Sequence, residues 1–563
     1  MEKASYKKWI IADPITPNIL EELKDYSPFL SQLLYNRGVL SAKEAEIYFN
    51  NFGSIYNPFK LKDMDKAVDA ILMSIEHGKR IAIYGDYDVD GVTATALLVQ
   101  IISKLHGDVC EYIPNRFEEG YGLNIEAIDF LADSGIDLII TVDCGIRSIN
   151  EIEHARSRGL DLIVTDHHEP ISILPECIAI INPKQEDDVY PCKNLAGVGL
   201  AYKLAEALIS KSDARDIHVE DWLDLVAVGT VADLVPMVGE NRALVKAGLK
   251  QLHYGKRPGL VSLVGLVDKP ITSINSTDIG FVIGPRLNAS GRLASANQSF
   301  DILTTDQLSK SGLLVQKLDD HNRERQKKTT EMIEEAERQI EKHGDDLILF
   351  ANHKNFNEGV VGLVASRLTE KYYRPSIVCR QGDEYTRASC RSIKEFNITQ
   401  ALDRCSHLLA RHGGHAMAAG FTVKNENIDA LIENLRKIAD LEIGDEELIP
   451  TLNADIEIEL KELHPRILKD IDKLEPFGLS NPHVNIVSRN LDVKQYKRVG
   501  ADKSHLRLIV SDGFITFNAI AFRQGDWADK MPNKIDLLFN YERNNFQGKE
   551  SLQLKVKDIH PSE

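Results

Sequence analysis

The run IAIYGDYDVDG, residues 81–91, decides the architecture. Its first half, IAIY, is apolar on both faces, which suits a strand buried inside a parallel sheet. An acidic turn follows, and then VTATALLVQIISKL, an apolar run of helical length. Strand, turn and helix make the first half of a βαβ unit, and the alternation continues to about Pro183 through VCEYI, IEAIDFLA, DLIITVD, INEIEHARSRG, DLIVTD and IAIIN. The pattern predicts an α/β domain on a parallel sheet, extended by helices over 196–210 and 219–235.

Working outward, the organisation divides into five parts. A helical segment is expected over 1–45, the α/β domain over 46–250 and a connector over 251–344. The connector carries the long polar stretch from Asp306 to Gly344, read as a long connector helix, whole or broken once, with a basic segment from His321 to Lys328. A second α/β unit occupies 345–447. From 448 to 563 short β-branched runs such as VNIVS, LRLIV and ITFNAIAF predict an all-β module, a small barrel.

At 563 residues the chain exceeds one core, and no apolar run reaches the ~20 residues of a membrane span. The start, MEKASYKKWIIADP, lacks the apolar centre of a signal peptide, so a cytoplasmic protein without membrane contact is expected. Its seven cysteines are scattered and include no C-x-x-C, which argues against a disulfide framework and a structural zinc site. A formal net charge of −18 repels phosphate globally, so nucleic acid could bind only along a locally basic path.

Asp86, Asp88 and Asp90 alternate along the turn, and an extended backbone would set all three carboxylates on one side. DLIITVD then ends in Asp143, DLIVTD in Asp166 followed by His167 and His168, and DLVAVGTVAD in Asp233. In an open parallel sheet, acids at separate strand ends converge on the crevice outside the carboxyl edge. Carboxylates and imidazole without thiolate suit two Mn²⁺ or Mg²⁺ ions, the pair used for phosphoester hydrolysis. Taken singly, each acid also reads as a helix cap or turn former, and the paired histidines as a polar turn. A calcium loop is a further reading of DxDxDG, though it lacks the Glu expected at the twelfth position. Coincidence of all the pieces in order favours the metal site.

The succession GDYDVDG, TVDCGI, VTDHH and VADLVPM resembles the four motifs of the DHH phosphoesterases, in the form found in RecJ-like exonucleases. The resemblance implies that Asp88 and Asp143 hold one metal with Asp86 nearby, and that Asp90, Asp143, His167 and Asp233 hold the other, Asp143 bridging. It casts Asp166 as orienting the site and His168 as contacting phosphate or moving a proton. GPRLNASGRL implies substrate contacts from Arg286, Asn288 and Arg292. RASCRS and RHGGHAMAAG resemble the DHH-associated domain and imply contacts from Arg391, Ser392, Gly413, Gly414 and His415. LEPFGLSNP resembles the segment leading into an oligonucleotide-binding (OB) barrel. Two departures stand out: Cys390 occupies a position the family often gives to Gly, and NFNEGVVG lacks the His that often precedes this Gly-Val.

The implied function is single-stranded-DNA exonuclease activity, 5′ to 3′, releasing 5′-mononucleotides in DNA repair and recombination, with single-strand-binding protein and helicase as candidate partners. Two alternatives remain: a family oligoribonuclease or phosphatase acting on short oligonucleotides, and a replication scaffold that kept the fold without catalysis. On the barrel, Arg489, Lys494, Lys497, Arg498, Lys503, Arg507 and Arg523 outnumber Asp492, Asp502 and Asp512, which predicts a strand-binding face with Tyr496 and Phe517 stacking on bases.

Overall fold

A computed structural model describes residues 7–50, 54–116, 119–120, 122–267, 269–342, 346–444, 447–546 and 549–562. The chain opens with β1 (Lys8–Ile11), followed by helices Pro17–Glu22, Pro28–Tyr35 and Ala42–Asn50. The parallel sheet comprises β2 (Arg80–Gly85), β3 (Asp108–Tyr112), β4 (Leu138–Val142), β5 (Asp161–Thr165) and β6 (Ala179–Ile181), in the order β3-β2-β4-β5-β6. All its pairings are parallel, and the order reverses between β2 and β4, which opens a crevice at their carboxyl ends. The helix Val89–Lys104 covers one face, with Leu97, Leu98, Ile101 and Ile102 buried in the same core as Ile81, Ile83 and Leu138.

The second lobe carries β7 (Leu349–His353), β8 (Ser376–Gln381), β9 (Tyr385–Arg391), β10 (Leu409–His415) and β11 (Ala418–Lys424), in the order β10-β11-β9-β8-β7. Only the β7–β8 pairing is parallel. The connector is the expected long helix, Leu308–Glu341, and it runs unbroken. Leu314, Val315 and Leu318 sit in the core of the first lobe, whereas Met332, Ala336 and Ile340 sit in that of the second. Each buried side chain of this kind contributes roughly 1.5–3 kcal/mol. That outweighs the few tenths available from surface pairs such as Lys328–Glu324. The helix is therefore a strut anchored at both ends. The expected boundary at 344/345 lies outside the described residues.

The C-terminal module is a closed barrel of β13 (Ile456–Glu457), β14 (Ile486–Val499), β15 (His505–Ser511), β16 (Thr516–Ala521), β17 (Lys534–Phe546) and β18 (Lys549–Pro561), preceded by β12 (Thr451–Ala454). Pairing of β14 with both β15 and β17 closes it. The N-terminal segment packs on the barrel. β1 runs parallel to β12, and Leu23, Leu30, Leu33 and Leu34 share one core with Leu468, Ile471, Leu506 and Phe539. Short amphipathic helices cannot hide their apolar faces alone, so they borrow the barrel's. All seven cysteines are free thiols, and among the described residues no helix is long and apolar enough to cross a membrane.

Candidate metal centre

The carboxyl edge of the parallel sheet collects the expected acids, by a route that differs from the alternation argument. DYDVDG is not extended: Asp86 follows β2, Asp88 caps the helix Val89–Lys104, and Asp90 lies in its first turn. Asp88 Oδ1 accepts from the Asp90 and Gly91 amides at 2.9 and 3.1 Å. Asp90 accepts from Gly197 N at 2.6 Å and Val198 N at 2.8 Å, at the start of the helix Gly197–Lys211. Asp143 leaves β4 in the left-handed conformation, φ 61°. Asp233 is the last residue of the helix Leu223–Asp233. The turn splits the aspartates between two clusters instead of lining them up on one side.

One cluster brings together Asp86, Asp88 and Asp143 and another Asp90, His167 and Asp233, and a third, Asp143, His167 and His168, links them; the donor atoms of each lie within 4.8 Å of one another. His167 Nε2 stands 3.0 Å from Asp143 Oδ1, 3.6 Å from Asp233 Oδ2 and 3.9 Å from Asp90 Oδ2, so the clusters adjoin. Its ring also bonds the Leu195 backbone. Burial, reinforced by His168, holds His167 down at about 4, so the ring is a neutral donor. Burial and then repulsion between neighbouring carboxylates push Asp86, Asp90 and Asp143 well above the ordinary range, and Asp233 up to about 6. Two unit charges 4 Å apart repel by roughly 4 kcal/mol at an effective dielectric of ~20. Buried acids so close must either keep protons or share cations. Asp86 Oδ1 and His167 Nε2 are buried and make no hydrogen bond with described residues. Orphaned donors in an oxygen-and-imidazole set fit a pair of hard divalent cations.

Asp166 is held differently. Burial works against its charge, but hydrogen bonds from His168 and Ile146 keep it below the usual carboxylate range. His168 Nδ1 lies 2.7 Å from Asp166 Oδ1, and Ile146 N donates to Oδ2 at 2.9 Å. One carboxylate thus fixes both the His168 ring and the loop after Asp143. Gly197 went unnoticed in the sequence: a Cβ there would stand 2.8 Å from Asp143 Cβ and 3.0 Å from Asp90 Oδ2, so only glycine fits.

Comparison with known proteins gives this arrangement its relatives. The model of the DHH family N-terminal domain matches residues 80–230, the DHHA1 domain 345–440 and the RecJ OB domain 454–558. The single-stranded-DNA-specific exonuclease RecJ of Bacillus subtilis (strain 168) is 36% identical over 568 residues, covering 100% of this chain and 72% of the relative. That of Escherichia coli (strain K12) is 33% identical, covering 95% and 96%. The chain belongs to the RecJ family. Crystalline RecJ of Thermus thermophilus in complex with Mn²⁺ superposes on 99% of this chain and 80% of its own, with a TM-score of 0.84 at 26% identity.

In this RecJ-family chain the remaining expected residues scatter more widely. Arg292 reaches from the helix Gly284–Leu293 to the second lobe, donating to Gly359 O at 3.0 Å. Burial, with Arg116 and Arg325 close by, pushes its guanidinium down to about 10, while Asp88 opposes the shift. Arg116 and Arg325 were not anticipated. Arg116 lies over the Tyr87 ring, just beyond β3, where the strand-end rule could have found it. Arg286 is engaged by Asp319 at 2.9 Å, and Asn288 is half-buried on the same helix. Arg391 ends β9, its guanidinium bonded to Ser366, Ser389 and the Cys390 carbonyl beside the first turn of the helix Val361–Tyr372. Ser392 corrects the expectation of a substrate contact: its hydroxyl is buried and donates to Phe396 O at 2.6 Å, which shapes a turn. Gly413, Gly414 and His415 lie on β10, the edge strand. Cys390 fills the core behind them.

The barrel also revises one reading. Phe517 is buried inside it against Tyr541, so it cannot stack on a base. Arg489, Lys494 and Arg498 each have a carboxylate partner. The outward row is Lys497, Arg507, Ile520 and Lys555, opposite one another across β14, β15, β16 and β18, with Lys555 also 3.9 Å from Glu542. Exposed Phe522 and Lys557 come two residues further along their strands.

Proposed function

We propose that this chain is a metal-dependent exonuclease that degrades single-stranded DNA, 5′ to 3′, releasing 5′-mononucleotides. The observation that carries it is the pair of adjoining donor clusters with orphaned buried donors, with Arg292 and Arg116 close to Asp88 and Tyr87, in a chain that also carries an OB barrel. Asp86, Asp88 and Asp143 would hold one ion and Asp90, His167 and Asp233 the other, Asp143 standing between them. Mn²⁺ or Mg²⁺ in such a pair activates water and neutralises charge on the phosphoryl oxygens.

The chain's own groups do the rest. Neutral His167 offers a lone pair, and its bond to Leu195 sets which nitrogen faces the cluster. Asp166 steers His168 toward phosphate. Arg391, beside the first turn of a helix, and Arg292, spanning the lobes, suit the grip on phosphate oxygens. Gly413 on the open edge strand allows close backbone approach, with nothing within 4 Å of where a Cβ would stand. The outward row of the barrel suits capture of the strand away from the clusters. DNA repair and recombination, a cytoplasmic setting and collaboration with single-strand-binding protein or helicase are part of the same proposal.

The direct test is hydrolysis of end-labelled single-stranded DNA with Mn²⁺, alongside duplex DNA, a dinucleotide and pyrophosphate. Mononucleotides released from the 5′ end of the long strand are expected. Preference for the dinucleotide or pyrophosphate would replace this reading with a short-substrate phosphoesterase, and inertness toward all four with a scaffold.

A further inference from the structure

Between the metal centre and the barrel lies a stretch of surface with apolar side chains the fold does not need. Phe281 is 79% exposed and Leu234 67%. Each sits on unusual backbone. Leu234 follows Asp233 directly at φ 62°, a left-handed conformation that is costly for leucine. Phe281 is the middle residue of a single π-helical turn, Ile279–Ile283, an irregularity that recurs at functional sites.

The turn presses on the helix that ends in Asp233. A Cβ on Gly280 would lie 3.7 Å from Val231, and one on Gly284 3.5 Å from Ala232. On the other side, the short helix Ser276–Asp278 leads into the turn and touches the segment entering the barrel. Ser276 Oγ donates to Phe477 O at 2.7 Å, and Thr277 Oγ1 meets His483 Nε2 at 2.9 Å. Burial, with Lys557 and Lys555 nearby, holds His483 down at about 4, which places the basic strand β18 next in line. Metal donor, exposed aromatic and lysine-bearing strand are thus consecutive stations, and the polymer that satisfies cations at both ends and an apolar face between them is a single strand with unstacked bases.

We propose that Phe281 and Leu234 form a stacking platform for a nucleobase of the single strand on its way from the barrel to the metal centre. This rests on the single-stranded-DNA reading above. The test uses the full chain. Steady-state kinetics with Mn²⁺ on a long 5′-phosphorylated strand are measured for wild type, Phe281→Ala, Phe281→Tyr and Phe130→Ala, the last an exposed aromatic on the helix Ile125–Asp133. Binding in EDTA of strands carrying 2-aminopurine at successive positions reports stacking directly.

Phe281→Ala is expected to raise KM about tenfold, the scale of one base–aromatic stack, with a smaller change in kcat. Phe281→Tyr should restore most of it, and Phe130→Ala should match wild type. One 2-aminopurine position, dark in the wild-type complex, should brighten in Phe281→Ala. Unchanged KM and emission overturn the proposal, as does a fall in kcat with no change in emission, which would mean a distorted metal centre. If wild type itself spares long single strands, the DNA reading fails and takes the platform with it; wild-type hydrolysis with an indifferent Phe281→Ala sinks the platform alone.

Discussion

At the carboxyl edge of the parallel sheet, Asp86, Asp90 and Asp143 are 4%, 0% and 2% exposed, whereas on the barrel Lys497 and Arg507 stand in solvent and Lys555 is half-buried. The first group is one sign of charge packed out of water, the second the opposite sign spread across three strands. Uncompensated buried charge is expensive, so every member of the first group is tied to its neighbours and to the ions that would relieve it. Solvated charges are individually worth little and act through number and counterion release. Substitution should therefore be all-or-none in one region and graded in the other.

The comparison is sharpest at Asp143, the donor shared between clusters. Asp143→Ala should cut hydrolysis by about a thousandfold or more, comparable to losing a key electrostatic group from an active site. It should also abolish the rise in melting temperature that Mn²⁺ gives the wild type by binding the native state. Turnover equal to wild type would break the two-ion assignment. Arg391→Ala is expected to come next, raising KM by about ten- to a hundredfold with metal-induced stabilisation intact, consistent with loss of a charge-assisted contact made equally in ground and transition states. Kinetics unchanged on short and long strands alike would remove Arg391 from the cleft's machinery. The smallest effect belongs to Arg507→Ala, which should weaken long-strand binding a few-fold and lower the log–log salt slope by ~0.7, one phosphate contact on a single strand. An unaltered slope would leave the outward row as a merely solvated face.

Both regions left traces in the sequence, to different degrees. The four acidic motifs were legible because they recur in order, three after buried apolar strands and Asp233 at the end of an apolar helix. Their geometry was less so: alternation in DYDVDG looks the same whether the backbone is extended or turns into a helix, and the turn prevailed because Asp88 caps the helix. In ITFNAIAF both faces carry a phenylalanine, and period two cannot say which is inside. The structure buries Phe517, Ala519 and Ala521 and turns Asn518, Ile520 and Phe522 outward. Arg325 emerges only from three-dimensional proximity to Arg292, across a gap no short motif spans, whereas Arg116 follows β3 and was within reach of the strand-end rule. The long connector helix was legible from its apolar residues at helical spacing, whereas the two different cores that anchor it were not.

The parallel pairing of β1 with β12 has a consequence for how this chain is made. Lys8 cannot find Thr451 until more than four hundred further residues have been synthesised. At ~5–20 residues per second that is roughly 20–90 s, long enough for the intervening α/β lobes to fold first. Throughout that interval Leu30, Leu33 and Leu34 lack the core they finally share with Leu468, Leu506 and Phe539. This segment is thus made well before the barrel whose core it completes, and is finished only with it.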